Sequence, residues 1–204
     1  YDYGIGNLEM LITRKMINEF KIINDICHND TTSASVYGQY NKEHSEGINI
    51  TFGHSKKHRQ DLKQFVWSIS VSSDSAFPLF QQAYNGNTAD VNTYVEQWTH
   101  LVDLLDRSNF LYVADSKLIT KENMAHIIDH DGYYIAPAPM YESYKSVFLS
   151  ALDTHDQELL IPYKDQVNRG FETPLSFSHD HKEYEIRMII LYDQGLGSRK
   201  RHAL

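Results

Sequence analysis

Two aspartates close short apolar runs in this chain: Asp30 in "ICHNDTTSASVYGQY" and Asp115 in "NFLYVAD". A carboxylate where a central strand gives way to a loop is a hard oxygen donor, and two of them side by side can hold divalent cations. Each aspartate alone has a plainer reading as a turn residue after a strand, since Asp and Thr are common where strands break. The pair becomes informative if its two strands are parallel neighbours, because the carboxylates then fall within the span of one or two bound cations. A competing metal reading comes from "SHDHKEYE", with His179, Asp180, His181, Glu183 and Glu185, and from "IDHDG", with Asp129, His130 and Asp131. Neither cluster has a recognised zinc spacing with a second ligand pair, so polar turns account for them better.

The elements that must position the two acids can be read from periodicity. Ile5, Leu8, Leu11, Ile12, Met16 and Phe20 recur at helical spacing, and a strand follows near residues 26–31. Phe65, Trp67, Ile69 and Val71 alternate with Ser68, Ser70 and Ser72 as in a half-buried strand, and "SDSA" turns it into a hairpin with "FPLFQQAY". Val91, Val95, Trp98, Val102 and Leu105 predict a helix capped by Asn87 or Thr88. After the run ending at Asp115, "SKLITKENMAHIIDHDG" reads as a capped helix closed by Gly132, and "YYIAPAP" as a strand stopped by Pro137 and Pro139. The predicted order is strand, hairpin, helix, strand, helix, strand. Asn29, polar where an apolar residue would suit a buried strand, sits awkwardly in this scheme.

The chain has 204 residues, 41% of them hydrophobic, enough to bury the core of one ordinary domain with a small appendage. No apolar run reaches the ~18 residues of a membrane span, and no secretion signal opens the sequence. The single cysteine, Cys27, cannot form an internal disulfide, which favours a reducing, intracellular setting. The sequence begins at Tyr1 without a methionine, so a piece of a longer protein is expected. A net charge of −8 argues against nucleic-acid binding over the whole surface, since such binding leans on Lys and Arg. Local positive charge exists at Lys56, Lys57, Arg59 and Lys63 in "HSKKHRQDLK" and at Arg199, Lys200 and Arg201 in "SRKRH". Solvated loop charge is an equally good reading of either segment.

Together "NDTTSASVYGQY", "FGHSKKHRQDLKQ", "GNTADVNT" and "VADSKLITKENM" resemble the catalytic core of the DDE transposases of bacterial insertion sequences, in the group whose core is interrupted by a β-rich insertion. The resemblance covers roughly residues 1–140 and, more weakly, the rest. It implies an α/β, RNase H-like fold: a mixed sheet with flanking helices, truncated within the insertion. Residues 1–25 would end a preceding helical segment, 26–139 would form the first part of the core, and 140–204 would open the β-rich region. It also implies a bacterial cytoplasmic protein with no membrane association, acting on double-stranded DNA at element ends and target, and homodimeric at full length.

Carried over by residue, the resemblance makes Asp30 the first catalytic acid, bridging two metals, and Asp115 the second, holding one of them. Mg²⁺ is the implied cofactor, with Mn²⁺ able to substitute. Two such ions about 4 Å apart activate water, stabilise phosphoryl charge and support the leaving oxygen. Thr31 and Thr32 would brace the strand end. Lys56, Lys57, Arg59 and Lys63 would face the same side as the aspartates and meet DNA phosphates.

The family's third acid, a glutamate, is not found. Tyr184 and Arg187 begin its usual spacing, but Leu191 occupies the acid position, and Glu142, the tempting substitute, reads better as a surface residue opening a helix. The chain alone is therefore expected to be inactive. Three readings follow: a transposase core, a DNA-binding remnant without chemistry, or a metal-dependent phosphohydrolase on another α/β scaffold.

Overall fold

The computed structural model describes residues 5–40, 47–53, 61–139, 141–154, 159–163 and 166–192. The chain divides into two compact units, Tyr1–Pro137 and Ala138–Leu204. The first runs α1 (Ile5–Phe20), β1 (Ile26–Val36), β2 (Lys63–Ser72), β3 (Pro78–Tyr84), α2 (Tyr94–Leu105), β4 (Leu111–Val113), α3 (Lys121–Asp129) and β5 (Tyr133–Ile135). Single 3-10 turns at Asp90–Asn92 and Ser116–Leu118 precede α2 and α3. The sheet order is β3-β2-β1-β4-β5. The first three strands form an antiparallel meander, while β4 pairs parallel to β1 and β5 parallel to β4. This is the RNase H-like mixed sheet with flanking helices that the sequence led us to expect.

β1 is longer than the predicted 26–31. Beyond Asp30 it keeps pairing with β2 as far as Val36, so Asp30 lies within a strand opposite Ile69. The strand continues because the Asn29 amide nitrogen and the Thr31 hydroxyl find partners on its buried face, although Asn29 Oδ1 and Ser33 Oγ have none among the described residues. Asn29, Thr31 and Ser33 alternate inward there, and across from them Gln64, Val66, Ser68, Ser70 and Ser72 form the buried side of β2. The alternation in β2 is therefore as predicted, but the serine side is the more deeply buried, and Phe65, Trp67, Ile69 and Val71 are half-buried on the other face. Small hydroxyl residues give the Asn29 and Gln97 amides room and partners. The Asn29 amide nitrogen donates to Ser68 Oγ (3.0 Å), Ser70 Oγ (3.1 Å), the Ile69 carbonyl (3.1 Å) and Gln97 Oε1 (3.4 Å). Asn29 is thus the centre of a buried polar network, and its polarity belongs to the strand.

The apolar core lies lower along the same interface, where Cys27, Leu79, Tyr94, Trp98, Leu101, Leu104, Phe110, Tyr112, Leu118 and Ile127 pack together. α2 begins at Tyr94, after the 3-10 turn, so neither Asn87 nor Thr88 caps it. Its buried residues are Tyr94, Gln97, Trp98, Leu101 and Leu104. α1 spans the predicted residues with the opposite face inward. Met10 and Ile17 pack on the core, and Arg14 Nε donates to the Leu104 carbonyl at 2.8 Å, leaving Leu8, Leu11, Ile12, Met16 and Phe20 exposed. α3 is capped by Thr120, whose hydroxyl accepts from the Asn123 N–H. The left-handed residue after α3 is Asp131 (φ 57°), not Gly132. Gly132 serves close approach instead, since a Cβ there would lie 2.7 Å from both Ile127 Cγ2 and Trp98 Cζ2.

Cys27 is fully buried, and burial pushes its thiol from 9.0 up to about 12, outweighing the smaller effects of Arg107 and Asp25. A raised folded-state pKa stabilises the fold below the unfolded value, and that contribution is lost as pH climbs from about 9 toward 12. We expect iodoacetamide at pH 8 to leave Cys27 unmodified in the folded chain and to label it fully in guanidinium, as mass spectrometry would read. Rapid labelling of the native chain would contradict this packing.

The second unit contains α4 (Glu142–Thr154) and an antiparallel sheet of β6 (Leu159–Tyr163), β7 (Gln166–His179) and β8 (Lys182–Tyr192). Ala151, Phe171 and Ile190 form its core, with Phe148 and Met188 against them. Asp180 and His181, at φ 46° and 64°, make the two-residue turn between β7 and β8. The histidine-rich stretch is thus a hairpin turn.

Candidate functional site

The last parallel pair between β1 and β4 is His28 with Val113. Asp30 and Asp115 each stand two residues further on, so the two chains carry them to matching levels on one face of the sheet. Thr31 N–H donates to Asp30 Oδ1 at 2.8 Å. Asp115 caps the following 3-10 turn, its Oδ1 accepting from Lys117 N–H at 2.9 Å. The same Oδ1 accepts from the Tyr94 hydroxyl at 2.5 Å. Both carboxylates therefore have Oδ1 occupied by local donors, and among the described residues neither Oδ2 has a hydrogen bond.

Thr31 is buried, its hydroxyl 3.0 Å from Ser68 Oγ and 3.3 Å from Thr93 Oγ1, which makes it a brace between β1, β2 and the start of α2. Thr32 is exposed on the face that carries Asp30.

Three residues that the sequence did not single out complete the surroundings. Tyr94 is fully buried, and its phenol is pushed upward by burial first, then by Asp115, Asp90 and Asp30, so it stays a donor. Asp90 forms an ion pair with Lys117 Nζ, joining the two 3-10 turns. Asp90 and Lys117 lie inside the stretches "GNTADVNT" and "VADSKL", which was the available signal for them. Tyr94 had none, because an aromatic at the start of an amphipathic helix reads as core.

Of the basic segment, Lys56, Lys57 and Arg59 lie outside the described residues. Lys63 begins β2 on the same sheet face as Ile69, the partner of Asp30, but about 20 Å along the strand at ~3.3 Å per residue. Its ammonium donates to the carbonyls of Gln39 (2.6 Å) and Tyr40 (2.8 Å). Glu142 is the first residue of α4, its side chain exposed and paired with Lys145 at 3.7 Å. Leu191 is an exposed residue of β8. Among the described residues, no group of three or more His, Cys, Asp or Glu side chains is placed to hold a metal ion, and no helix is long and apolar enough to cross a membrane.

No protein-family model and no curated protein matches the chain. Among solved structures it is similar to the Mos1 transposase paired-end complex with left transposon end, at 11% identity and TM-score 0.38, over 74% of this chain and 54% of that one. It is also similar to the Mos1 strand transfer complex, at 12% identity and TM-score 0.38, over 72% and 46%. Ciona intestinalis Endonuclease V bound to a 24mer DNA containing inosine matches at 13% identity and TM-score 0.26, over 81% and 74%. The chain spans about half the length of the Mos1 chains. With TM-scores below 0.5, these likenesses add no weight to a functional reading.

Proposed function

We propose that the first unit is part of the catalytic core of a DDE transposase of the insertion-sequence type, a protein that cuts and joins double-stranded DNA by metal-dependent phosphoryl transfer. One observation carries this reading. Asp30, on β1, and Asp115, two residues past its parallel neighbour β4, reach the same level with one oxygen apiece that has no hydrogen bond among the described residues.

Two hard carboxylate oxygens suit Mg²⁺ or Mn²⁺ better than metals that favour thiolate or imidazole. When bound, such ions supply Lewis-acid stabilisation of phosphoryl oxygens and a more acidic water. The chain's own residues do the positioning. Thr31 and Lys117 N–H groups fix each carboxylate by its other oxygen, and Thr31 locks β1 to β2 beside them. Lys117, held on Asp90, keeps a positive charge next to the acids where a phosphate would enter. Lys56, Lys57, Arg59 and Lys63 are proposed to contact DNA phosphates further out, and the second unit to open the β-rich insertion. In this reading the full-length protein works as a homodimer.

A second reading, a DNA-binding remnant without chemistry, is favoured by the absence of a third acid at the pair among the described residues. Mn²⁺ titration followed by calorimetry separates them from a plain turn role for the aspartates. We expect saturable binding that Asp115→Asn weakens at least tenfold, and no cleavage of terminal-repeat DNA by the chain alone. Equal binding by parent and Asp115→Asn would remove the metal assignment. Cleavage abolished by Asp30→Ala would remove the expectation of inactivity and make Glu142 the first residue to test as third ligand.

A further inference from the structure

We propose that Tyr94 is a positioning residue that decides which oxygen of Asp115 faces the cation. This rests on the reading of Asp30 and Asp115 as a cation site. The Tyr94 ring cannot swing, being fully buried in the same core as Cys27, Trp98, Leu101, Phe110 and Tyr112. Its hydroxyl therefore presents a fixed donor to Asp115 Oδ1 at 2.5 Å, in the range of a charge-assisted O–H···O⁻ bond.

Lys117 N–H converges on the same oxygen at 2.9 Å. Two donors on Oδ1, from different elements, leave Oδ2 as the oxygen without a partner among the described residues and resist rotation of the carboxylate. Among the described residues Asp30 has a single such donor, the N–H of its own neighbour Thr31. Asp115 is thus the preset ligand and Asp30 the one that adjusts. Partners behind a metal ligand commonly change affinity by about 10–100-fold when removed.

Tyr112 supplies an internal control. It is also fully buried, and its hydroxyl points to the Tyr94 carbonyl at 3.4 Å, not to either aspartate. Mn²⁺ affinity by calorimetry, together with the thermal midpoint with and without Mn²⁺, tests the assignment in parent, Tyr94→Phe and Tyr112→Phe chains.

We expect Tyr94→Phe to lower Mn²⁺ affinity about tenfold and to shrink the Mn²⁺-induced rise in midpoint, its metal-free midpoint staying close to that of Tyr112→Phe. Tyr112→Phe should bind Mn²⁺ like the parent. A parent that binds while Tyr94→Phe binds within twofold of it would overturn the positioning role alone. So would an equal loss in Tyr112→Phe, or a Tyr94→Phe chain that fails to fold while Tyr112→Phe folds, since the hydroxyl would then serve stability. A parent that does not bind Mn²⁺ overturns the cation site itself, and the role of Tyr94 with it.

Discussion

Trp98→Ala is expected to destabilise the first unit by about 3–5 kcal/mol, the range for deleting a buried aromatic side chain. Trp98 is 2% exposed and stands at the junction of three elements. Phe110 lies 6.3 Å from it between ring centroids, and His126 and His130 of the α3 end meet it at 5.7 and 6.0 Å. On a further side Gly132 comes so near that even a methyl group would collide with the ring. Backbone closes around the ring there, so a cavity could not collapse readily, which puts the cost toward the upper end. Typical domains have only about 5–15 kcal/mol in total. Trp98→Phe should cost far less, because the Trp98 Nε1–H has no hydrogen-bond partner among the described residues to lose. Urea unfolding followed by circular dichroism measures both, and a Trp98→Ala midpoint near the parent's would show that the ring is not the keystone its contacts indicate.

Asn29→Leu is expected to cost about 2–4 kcal/mol, although leucine is the kind of residue a buried strand normally takes. The substitution keeps the branched outline of the side chain but enlarges it and strips the shared donor from Ser68, Ser70 and Gln97, all of them buried. Ser68 keeps Thr31 as a partner and Ser70 keeps Gln97, so each loses one bond of its set, and under-satisfied buried polar groups cost up to about 1–3 kcal/mol each. Asp30 follows directly in the chain, so Mn²⁺ binding should weaken too. The logic has a second test in the opposite direction. Adding Ser68→Ala and Ser70→Ala to Asn29→Leu should recover part of the loss, since replacing both partners by apolar groups can be nearly neutral. If the triple variant is no more stable than Asn29→Leu, the network is not what the asparagine serves.

These two positions also show what could be read before the structure. The order of elements was legible because it depends on signals that survive any packing arrangement. Prolines 137 and 139 stop β5, "SDSA" turns β2 into β3, and Thr120 caps α3. The facing of the elements was less legible, for one physical reason. Hydrophobic alternation reveals which side of a strand is buried when that side is the apolar one, and here the serine side of β2 is the more deeply buried, bonded to Gln97 and Thr31. The same reason made Asn29 look misplaced. In α1 the outward stripe is the more apolar, while the inward one includes Arg14, bonded to the end of α2. The candidate site divides likewise. Asp30 and Asp115 stood out as two acids after two short apolar runs, whereas the hydroxyl on Asp115 depends on a helix start displaced to Tyr94 by a 3-10 turn.

The seam between β1 and β4 has a consequence for the order in which the molecule is made. Within the meander, β1 meets β2 and β2 meets β3 across connections that are short beside the one joining β1 to β4. β1 meets β4 through three residue pairs, and only after a loop of about 85 residues has closed, at an entropic cost that grows with loop length. Long-range pairings of this kind slow folding and are rewarded late. The two aspartates lie at the top of that seam, so the carboxylate pair is assembled after the meander and is first to come apart when β4 detaches. A chain warmed toward its transition would accordingly stop responding to Mn²⁺ while the β-sheet signal of the meander was still intact.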